Sequence, residues 1–252
     1  MELKKEQYEQ IAECFPKQRK PAKISNLDVL NAALYVMENG CKWRSLPKEY
    51  GDWHVIYVRI NRWAKKGVLE KAFLRLQQLG IIKIQVNVVS LDSTCIKVHP
   101  DGMGALKKNG AQAVGRTRGG WNTKLHMVAA SDRDGVIFSL SAGNRGDGPE
   151  GRTLLQQLGP ADHPVYLLMD RAYEGDETRA LAVELGYIPV VPPKSNRKDP
   201  WDYDKELYKQ RNQVERLFRR IKRFRRIFTR YDKLDIIFLA FVFFALIVDV
   251  LM

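Results

Sequence analysis

The strongest constraint on this fold is a change in hydrophobic pattern near residue 83. Before that point, apolar residues recur with the period of an α-helix. After it, short apolar runs alternate with turn residues and with helical stretches. Helices and strands bury different faces, so the two parts of the chain need different architectures. The pattern therefore predicts a helical region over residues 1–82 and an α/β domain over 83–252.

The helical region contains two clear amphipathic segments. Asn26 is predicted to cap the first helix, which ends at Gly40, and Gly67 ends a second helix that begins at residue 53. Arg59 and Arg62 lie off the apolar stripe of the second helix and are candidate DNA contacts. The pattern suits a helix-turn-helix-like module that places a helix in the major groove. It fits equally well a small helical bundle whose charged face is only solvated.

The second part predicts five strands and three helices. Asp132 to Gly135 has turn chemistry, so the strands on either side of it should form an antiparallel hairpin. A sheet of this kind, flanked by helices, belongs to the mixed α/β class. The predicted strands are residues 84–92, 123–131, 136–142, 165–170 and 187–192, and the predicted helices are 177–186, 205–226 and 236–248.

The last of these helices is an uninterrupted apolar run, IIFLAFVFFALIV. A membrane-spanning helix needs about 20 such residues. The run is shorter, so it predicts a buried helix packed on the sheet, with a membrane anchor as the alternative. The N-terminus lacks the apolar segment of a signal peptide. The three cysteines have no CxxC spacing, which argues against disulfides and a structural zinc site and favours a cytoplasmic protein.

The charge of the chain is strongly positive and unevenly placed. The formal net charge is +13 and the isoelectric point is about 9.6. Residues 211–233 alone carry ten basic side chains and two acidic ones, Glu215 and Asp232. Such a run favours contact with a nucleic acid backbone. An anionic membrane surface and a merely solvated basic surface are the alternatives.

Two aspartates are candidates for metal chemistry. Asp92 and Asp170 each follow an apolar strand, which would hold a carboxylate at the rim of the sheet. If the strands are neighbours, the carboxylates converge, and a cation between them would relieve their repulsion. Oxygen ligands without histidine or cysteine suit Mg²⁺ or Mn²⁺. The alternative is that each aspartate only starts a turn or caps a helix.

The predicted basic helix places a third carboxylate among polar partners. At about 100° per residue, Tyr208, Arg211, Glu215 and Lys222 fall within an arc of about 60°. A second arc is apolar and can pack on the sheet, and its members are Val214, Leu217, Ile221 and Phe224. Glu215 could therefore face the strand ends beside a guanidinium and an ammonium. The alternative is a solvated helix with an Arg211–Glu215 ion pair one turn apart.

These motifs together resemble a known family, the DDE transposases of bacterial insertion sequences, and within it the group numbered five. LDSTCIKVHPDG resembles the segment of the first aspartate, and MDRAYEGD that of the second, with Tyr173 in its Asp-x-x-Tyr setting. The helix matches the Tyr-x2-Arg-x3-Glu-x6-Lys pattern without departure. RTRGGWNTKLH and GCKWRSLP resemble further segments of the group, so the likeness covers nearly the whole chain.

The resemblance implies an RNase H-like, mixed five-stranded sheet flanked by helices, with a small all-α helix-turn-helix-like domain before it. The catalytic, metal-binding residues would be Asp92, Asp170 and Glu215, holding two Mg²⁺ ions that Mn²⁺ can replace. Tyr173 would support them. The interval from Asp170 to Glu215 is too short for an inserted domain, so the compact form is implied.

The implied substrates are the inverted-repeat ends of an insertion sequence and a target, both double-stranded DNA, bound by a homodimer. Candidate DNA contacts in the catalytic part are Tyr208, Arg211, Arg219, Lys222 and Arg226. Three alternatives remain at this point. They are a nuclease of the same fold, a DNA-binding regulator without catalysis, and a membrane-associated basic protein.

Overall fold

The computed structural model describes residues 1–17 and 23–252. The chain forms two compact units, each assembled from separate segments. We call residues 1–82, 97–112 and 221–252 the helical unit, and residues 83–96 and 113–220 the sheet unit. The helical unit thus draws on three parts of the chain. The two-domain division at residue 82 remains a prediction.

In the described residues, helices form the part before residue 83, and strands and helices are mixed after it, as the sequence pattern predicted. The helices are α1 (Lys5–Glu9), α2 (Asn26–Asn39), α3 (Trp53–Lys65), α4 (Val68–Gln78), α5 (Asp147–Leu158), α6 (Asp176–Glu184), α7 (Lys205–Tyr208), α8 (Asn212–Lys222), α9 (Arg225–Phe228) and α10 (Asp235–Leu251). The strands are β1 (Val88–Val98), β2 (Gly115–Thr117), β3 (Gly120–Ala129), β4 (Gly135–Ala142), β5 (Val165–Met169), β6 (Tyr187–Val190) and β7 (Thr229–Arg230).

Helix α2 shows how local signals set the ends of an element. Ser25 caps it, because its hydroxyl accepts the backbone N–H of Asp28 while the Asp28 carboxylate accepts the N–H of Ser25. This is a capping box, which satisfies two N–H groups reciprocally. Asn26, the predicted cap, is instead the first helical residue. Gly40 ends the helix with a φ of 63°, as predicted, since glycine adopts that conformation without steric cost.

Helix α10 is the buried apolar helix that the sequence predicted, but its neighbours differ from the prediction. It packs against α3, α4 and α9 within the helical unit, where we expected it to lie on the sheet. Aromatic and aliphatic side chains along it, such as Phe238 and Ile247, are fully buried. None of the helices in the described part of the chain is long and apolar enough to cross a membrane.

The sheet has a five-strand path, in the order β4, β3, β1, β5, β6. Strands β3 and β4 form the predicted antiparallel hairpin, while β5 is parallel to both β1 and β6. The sheet therefore mixes parallel and antiparallel strands, as the resemblance implied. Two short strands raise the number found in the described residues to seven. They are β2, which pairs with β3, and β7, which pairs with Lys97 and Val98 at the end of β1.

Helices cover the sheet and complete its core. Helix α5, which the sequence analysis missed, packs on β3 and β4, and α6 packs on β6 and on α5. Leu91, Leu167 and Met169 from the central strands are fully buried with Leu154 and Leu155 of α5. Each such side chain contributes about 1.5–3 kcal/mol through removal from water. This packing fixes the positions of β1 and β5, the strands that carry Asp92 and lead to Asp170.

The predicted helix over residues 205–226 is interrupted. Helix α7 leads through a 3₁₀ turn at Lys209–Arg211 into α8, which ends at Lys222. Phe224 then takes an extended conformation, with φ −75° and ψ 115°, before α9 begins. Its ring is buried.

Candidate active site

The two aspartates lie side by side in the sheet. Strands β1 and β5 are parallel, and Leu91 is paired with Met169, so Asp92 and Asp170 are the next residues in register. Asp170 follows the last residue of β5, as predicted. Asp92 does not end its strand, because β1 continues to Val98. The carboxylates are neighbours all the same, since parallel register, rather than the strand end, sets their proximity.

The carboxyl group of Asp92 is nearly buried, with 9% of the residue exposed. Its Oδ1 accepts the backbone N–H of Ser93 at 2.7 Å, and its Oδ2 accepts the Arg211 guanidinium at 2.8 Å. Burial raises the pKa of Asp92 to about 6 against the opposing effect of those two donors, and the charges of Asp170 and Glu215 add to the rise. The three predicted carboxylates therefore interact electrostatically.

Arg211 joins two of these carboxylates. One nitrogen of its guanidinium donates to Asp92 and another donates to Glu215 Oε1 at 2.6 Å. The ion pair of the solvated-helix alternative, Arg211–Glu215, is therefore present. The helix face is not merely solvated, however, because the same guanidinium also binds Asp92 on β1. The guanidinium lies 5.7 Å from the ring centre of Tyr208. Three of the four residues in the predicted arc are therefore linked, because Arg211 contacts both Tyr208 and Glu215, and Arg211 connects them to Asp92.

Helix α8 presents Glu215 as the spacing predicted. Val214, Leu217 and Ile221 are fully buried and Glu215, beside them, is half-buried. Lys222 is the last residue of the helix and is also half-buried. Arg219 is exposed on α8, where it is accessible to a phosphate.

Two of the predicted DNA contacts are held inside the helical unit. Arg226 is 5% exposed, and its guanidinium makes two hydrogen bonds to the carboxylate of Asp232, at 2.8 and 3.1 Å. This burial argues against its predicted role, because the guanidinium is paired with Asp232 and little of the side chain is exposed to a phosphate. Arg59 donates to the carbonyl of Ile24 and to the side chain of Asn26, which anchors a loop. Arg62 is exposed.

A polar cluster that the sequence analysis missed adjoins Asp92. The hydroxyl of Ser93 donates to Asp147 Oδ1 at 3.0 Å, and Lys124 Nζ donates to the same oxygen at 2.9 Å. Asp147 is the first residue of α5, and Lys124 lies on β3. The available signal was Lys124, a charged side chain within a predicted strand, because such a residue needs a partner when the sheet is covered.

Tyr173 is buried behind the aspartates. Its hydroxyl lies 3.4 Å from His126 Nδ1, and His126 Nε2 lies 2.8 Å from the hydroxyl of Ser141. Burial raises the pKa of Tyr173 well above its usual range and lowers that of His126 to about 4. Both groups are therefore neutral at pH 7. They can orient hydrogen bonds but add no charge to the site.

The residues present suit a hard divalent cation. No three His, Cys, Asp or Glu side chains in residues 1–17 and 23–252 form a ready-made metal cluster. The guanidinium of Arg211 lies between Asp92 and Glu215 instead. The donors are all carboxylate oxygens, which Mg²⁺ and Mn²⁺ prefer. Asp92 is nearly buried and lies near the charges of Asp170 and Glu215, so its own negative charge lacks full compensation. A cation would supply that compensation.

Comparison with known families identifies the class of protein. Residues 85–248 match the family model "Transposase DDE domain", and residues 3–73 match "Putative transposase of IS4/5 family". The first match alone covers well over half of the chain. The protein therefore belongs to the DDE transposase family, and the comparison favours this class over a nuclease or a regulator. Members of this family act on DNA and generally use divalent metal ions.

Two curated bacterial proteins are similar over about half of the chain. One is the "Putative transposase for insertion sequence element IS6501" of Brucella ovis, 33% identical over 124 residues, which are 49% of this chain and 93% of that protein. The other is an uncharacterized protein of Sinorhizobium fredii, 28% identical over 113 residues, which are 44% of this chain and 87% of that protein.

Solved transposase structures show a weaker likeness. The piggyBac transposase synaptic complex with hairpin DNA aligns with 76% of this chain at 10% identity and a TM-score of 0.37. The Mos1 transposase paired-end complex aligns with 69% at 12% identity and a TM-score of 0.28. This chain spans 47% and 61% of those two chains.

Proposed function

We propose that this protein binds the inverted-repeat ends of an insertion sequence and catalyses metal-dependent cleavage and joining of DNA. The observation that carries the proposal is the convergence of three carboxylates: Asp92 lies beside Asp170 in parallel register, and Arg211 links Asp92 to Glu215. Family membership supplies the class of reaction, and this convergence supplies a site for it. The reaction is a phosphoryl transfer, which depends on positioning and on stabilisation of charge.

Asp92, Asp170 and Glu215 would hold two Mg²⁺ ions, with Mn²⁺ as a substitute. When bound, such ions stabilise the attacking and leaving oxygens of an in-line displacement. Asp92 is central to this role because it is the most buried of the three and lies beside Asp170 in the sheet. All donors are oxygen atoms of this chain. The same residues would serve attack by water, which cuts DNA, and attack by a 3′-hydroxyl, which joins it.

Arg211 would bind phosphate with the same forked group that now holds Asp92 and Glu215. A guanidinium can pair with a carboxylate or with a phosphate through two parallel hydrogen bonds. A DNA phosphate would therefore compete with the two carboxylates for Arg211. Tyr208 packs against that guanidinium and would limit its motion. Arg219 and Lys222 extend the basic character of α8 and would contact phosphates near the cut, and Arg62 would do so on α3.

The substrate is double-stranded DNA at the element's ends and at the target. Two ends must be cut and held together, so we infer that two copies of the chain act as a homodimer on DNA. The N-terminal helices would contribute to end recognition as a helix-turn-helix-like module. The reaction would take place in the bacterial cytosol, where the chromosome lies.

The proposal is tested by a cleavage and joining assay on DNA that carries the gene's flanking repeats, with Mg²⁺ or Mn²⁺. We expect wild-type protein to cut at the repeat ends. Asp92→Asn, Asp170→Asn and Glu215→Gln should each reduce cutting by at least about 100-fold, because losing a metal ligand should cost more than losing a residue that supports one. DNA binding should persist in all three variants.

The matched control is Glu206→Gln. Glu206 is an exposed glutamate on nearby α7 that pairs only with Lys209 among the ion pairs of the described residues. It should cut at the wild-type rate. Cleavage that survives the loss of any one of the three carboxylates would show that the site is wrongly assigned. Repeat binding without any cutting by the wild type would argue for a regulatory protein.

A further inference from the structure

Ser93 contacts both Asp92 and a second carboxylate. Its backbone N–H donates to Asp92 Oδ1 at 2.7 Å, while its hydroxyl donates to Asp147 Oδ1 at 3.0 Å. The backbone of Ser93 therefore helps to fix one oxygen of Asp92. The side chain of Ser93, on the other face of the strand, is held by Asp147.

Asp147 is itself firmly placed. Lys124 Nζ donates to its Oδ1 at 2.9 Å and to the carbonyl of Arg145 at 2.8 Å. The Lys124 and Asp147 side chains are 14% and 21% exposed, so solvent screens their interaction less than it would on an open surface. Asp147 begins α5, Lys124 lies on β3, and β3 adjoins β1. The cluster thus links three elements of the sheet unit.

We propose that Ser93, Asp147 and Lys124 are positioning residues that set the orientation of the Asp92 carboxylate. This inference rests on the proposed function, in which Asp92 holds a divalent cation. A metal ligand must be kept within about 0.5 Å of its working position by the groups around it. Anchoring the Ser93 hydroxyl restricts the peptide whose N–H binds Asp92, and so restricts the carboxylate.

If Lys124 and Asp147 formed only a structural ion pair, the variants would behave differently. Such a pair would change stability without a specific effect on cation affinity. The hydroxyl of Ser93 separates the two cases, because removing it leaves the Lys124–Asp147 pair intact. Threonine at this position restores a hydroxyl and is favourable in a strand.

The test is Mn²⁺ binding to the full chain without DNA, measured by electron paramagnetic resonance, with thermal unfolding recorded for each variant. Ser93→Ala and Asp147→Asn should bind Mn²⁺ about 10-fold more weakly, as is typical when a partner of a metal ligand is lost. Ser93→Thr should retain most of the affinity. The matched control is Ser131→Ala, which removes another serine–aspartate hydrogen bond, to Asp134 in the β3–β4 turn.

Wild-type affinity in a folded Ser93→Ala variant would overturn the inference, as would an equal loss in Ser131→Ala. Asp92→Asn separates this failure from failure of the proposed function. If Asp92→Asn binds Mn²⁺ as tightly as the wild type, the metal site itself is wrong. If Asp92→Asn loses binding while Ser93→Ala keeps it, the site stands and only the positioning role is refuted.

Discussion

Arg211 and Arg226 belong to the same basic run, yet their guanidinium groups have opposite surroundings. Arg211 bridges Asp92 and Glu215 beside the candidate site. Arg226 is buried against Asp232, with its guanidinium 4.9 Å from the ring centre of Phe241. A count of positive charges treats the two residues alike. Their roles are separated by which acidic partner the fold brings to each.

His126 gives a prediction at the residue scale. Burial lowers its folded-state pKa to about 4, while an unfolded histidine titrates near 6.5. The unfolded chain therefore takes up a proton first as the pH falls. Between pH 6.5 and 4 this should lower the free energy of unfolding by about 1.4 kcal/mol per pH unit, or about 2 kcal/mol at pH 5.

Urea denaturation of wild type and His126→Gln at pH 7 and pH 5 would measure this contribution. The glutamine variant lacks the titration, so its stability should fall less between the two pH values. Only the change with pH matters here, because the substitution itself can alter stability at both. An identical pH dependence in the two proteins would show that folding does not lower the pKa of His126.

At the level of elements, α5 is the unpredicted helix that matters most for the candidate site. Its first residue, Asp147, joins the cluster around Ser93, and Gly151 provides the space in which the ring of Tyr173 lies. A Cβ atom added at Gly151 would lie 2.6 Å from two atoms of that ring. The helix therefore supports the site through a close approach that only glycine permits.

Gly151→Ala should consequently destabilise the protein. Alanine favours the helix by about 1 kcal/mol over glycine, but overpacking a buried contact costs about 1–3 kcal/mol, so we expect a net loss of up to about 2 kcal/mol. Urea denaturation checks this against Gly148→Ala on the same helix. The nearest atom to a Cβ there is 3.8 Å away, so that variant should be as stable as the wild type or more so. Equal behaviour of both variants would contradict the packing argument.

Other elements followed directly from local signals. The β3–β4 hairpin was predictable because its turn residues and the alternation of its strands are local properties. The apolar arc of α8 was predictable for the same reason, and Val214, Leu217 and Ile221 are all buried. The interruption of the predicted 205–226 helix was not. The extended conformation of Phe224 is accompanied by burial of its ring, and burial depends on surroundings outside that segment.

For the whole molecule, the net charge of +13 predicts binding to a polyanion, but only exposed cations contribute to it. Arg219 is exposed, whereas Arg226 is buried and paired. Arg219→Ala should weaken DNA binding, reduce the slope of log affinity against log salt by about 0.9, and change stability by less than about 0.5 kcal/mol. Arg226→Ala should leave Asp232 unpaired and cost about 3–5 kcal/mol of stability.

Fluorescence anisotropy with labelled duplex DNA over a range of NaCl concentrations, combined with urea denaturation, tests both variants. The two arginines serve as controls for each other, because each substitution removes one positive charge. A normal salt slope in Arg219→Ala would remove that residue from the DNA-binding surface. A stable Arg226→Ala variant would mean that its buried ion pair is not needed for the fold.

The sequence by itself determined the class of fold and the polar face of α8, and it predicted the three carboxylates. These depend on residue type and on spacings of a few residues, which the periods of strands and helices convert into shared faces. The tertiary structure decided which residues they contact. Arg211 and Asp92 are 119 positions apart, and Ser93 and Asp147 are 54 apart. Contacts over such distances arise from parallel register and from packing on the sheet, neither of which is encoded in any single segment.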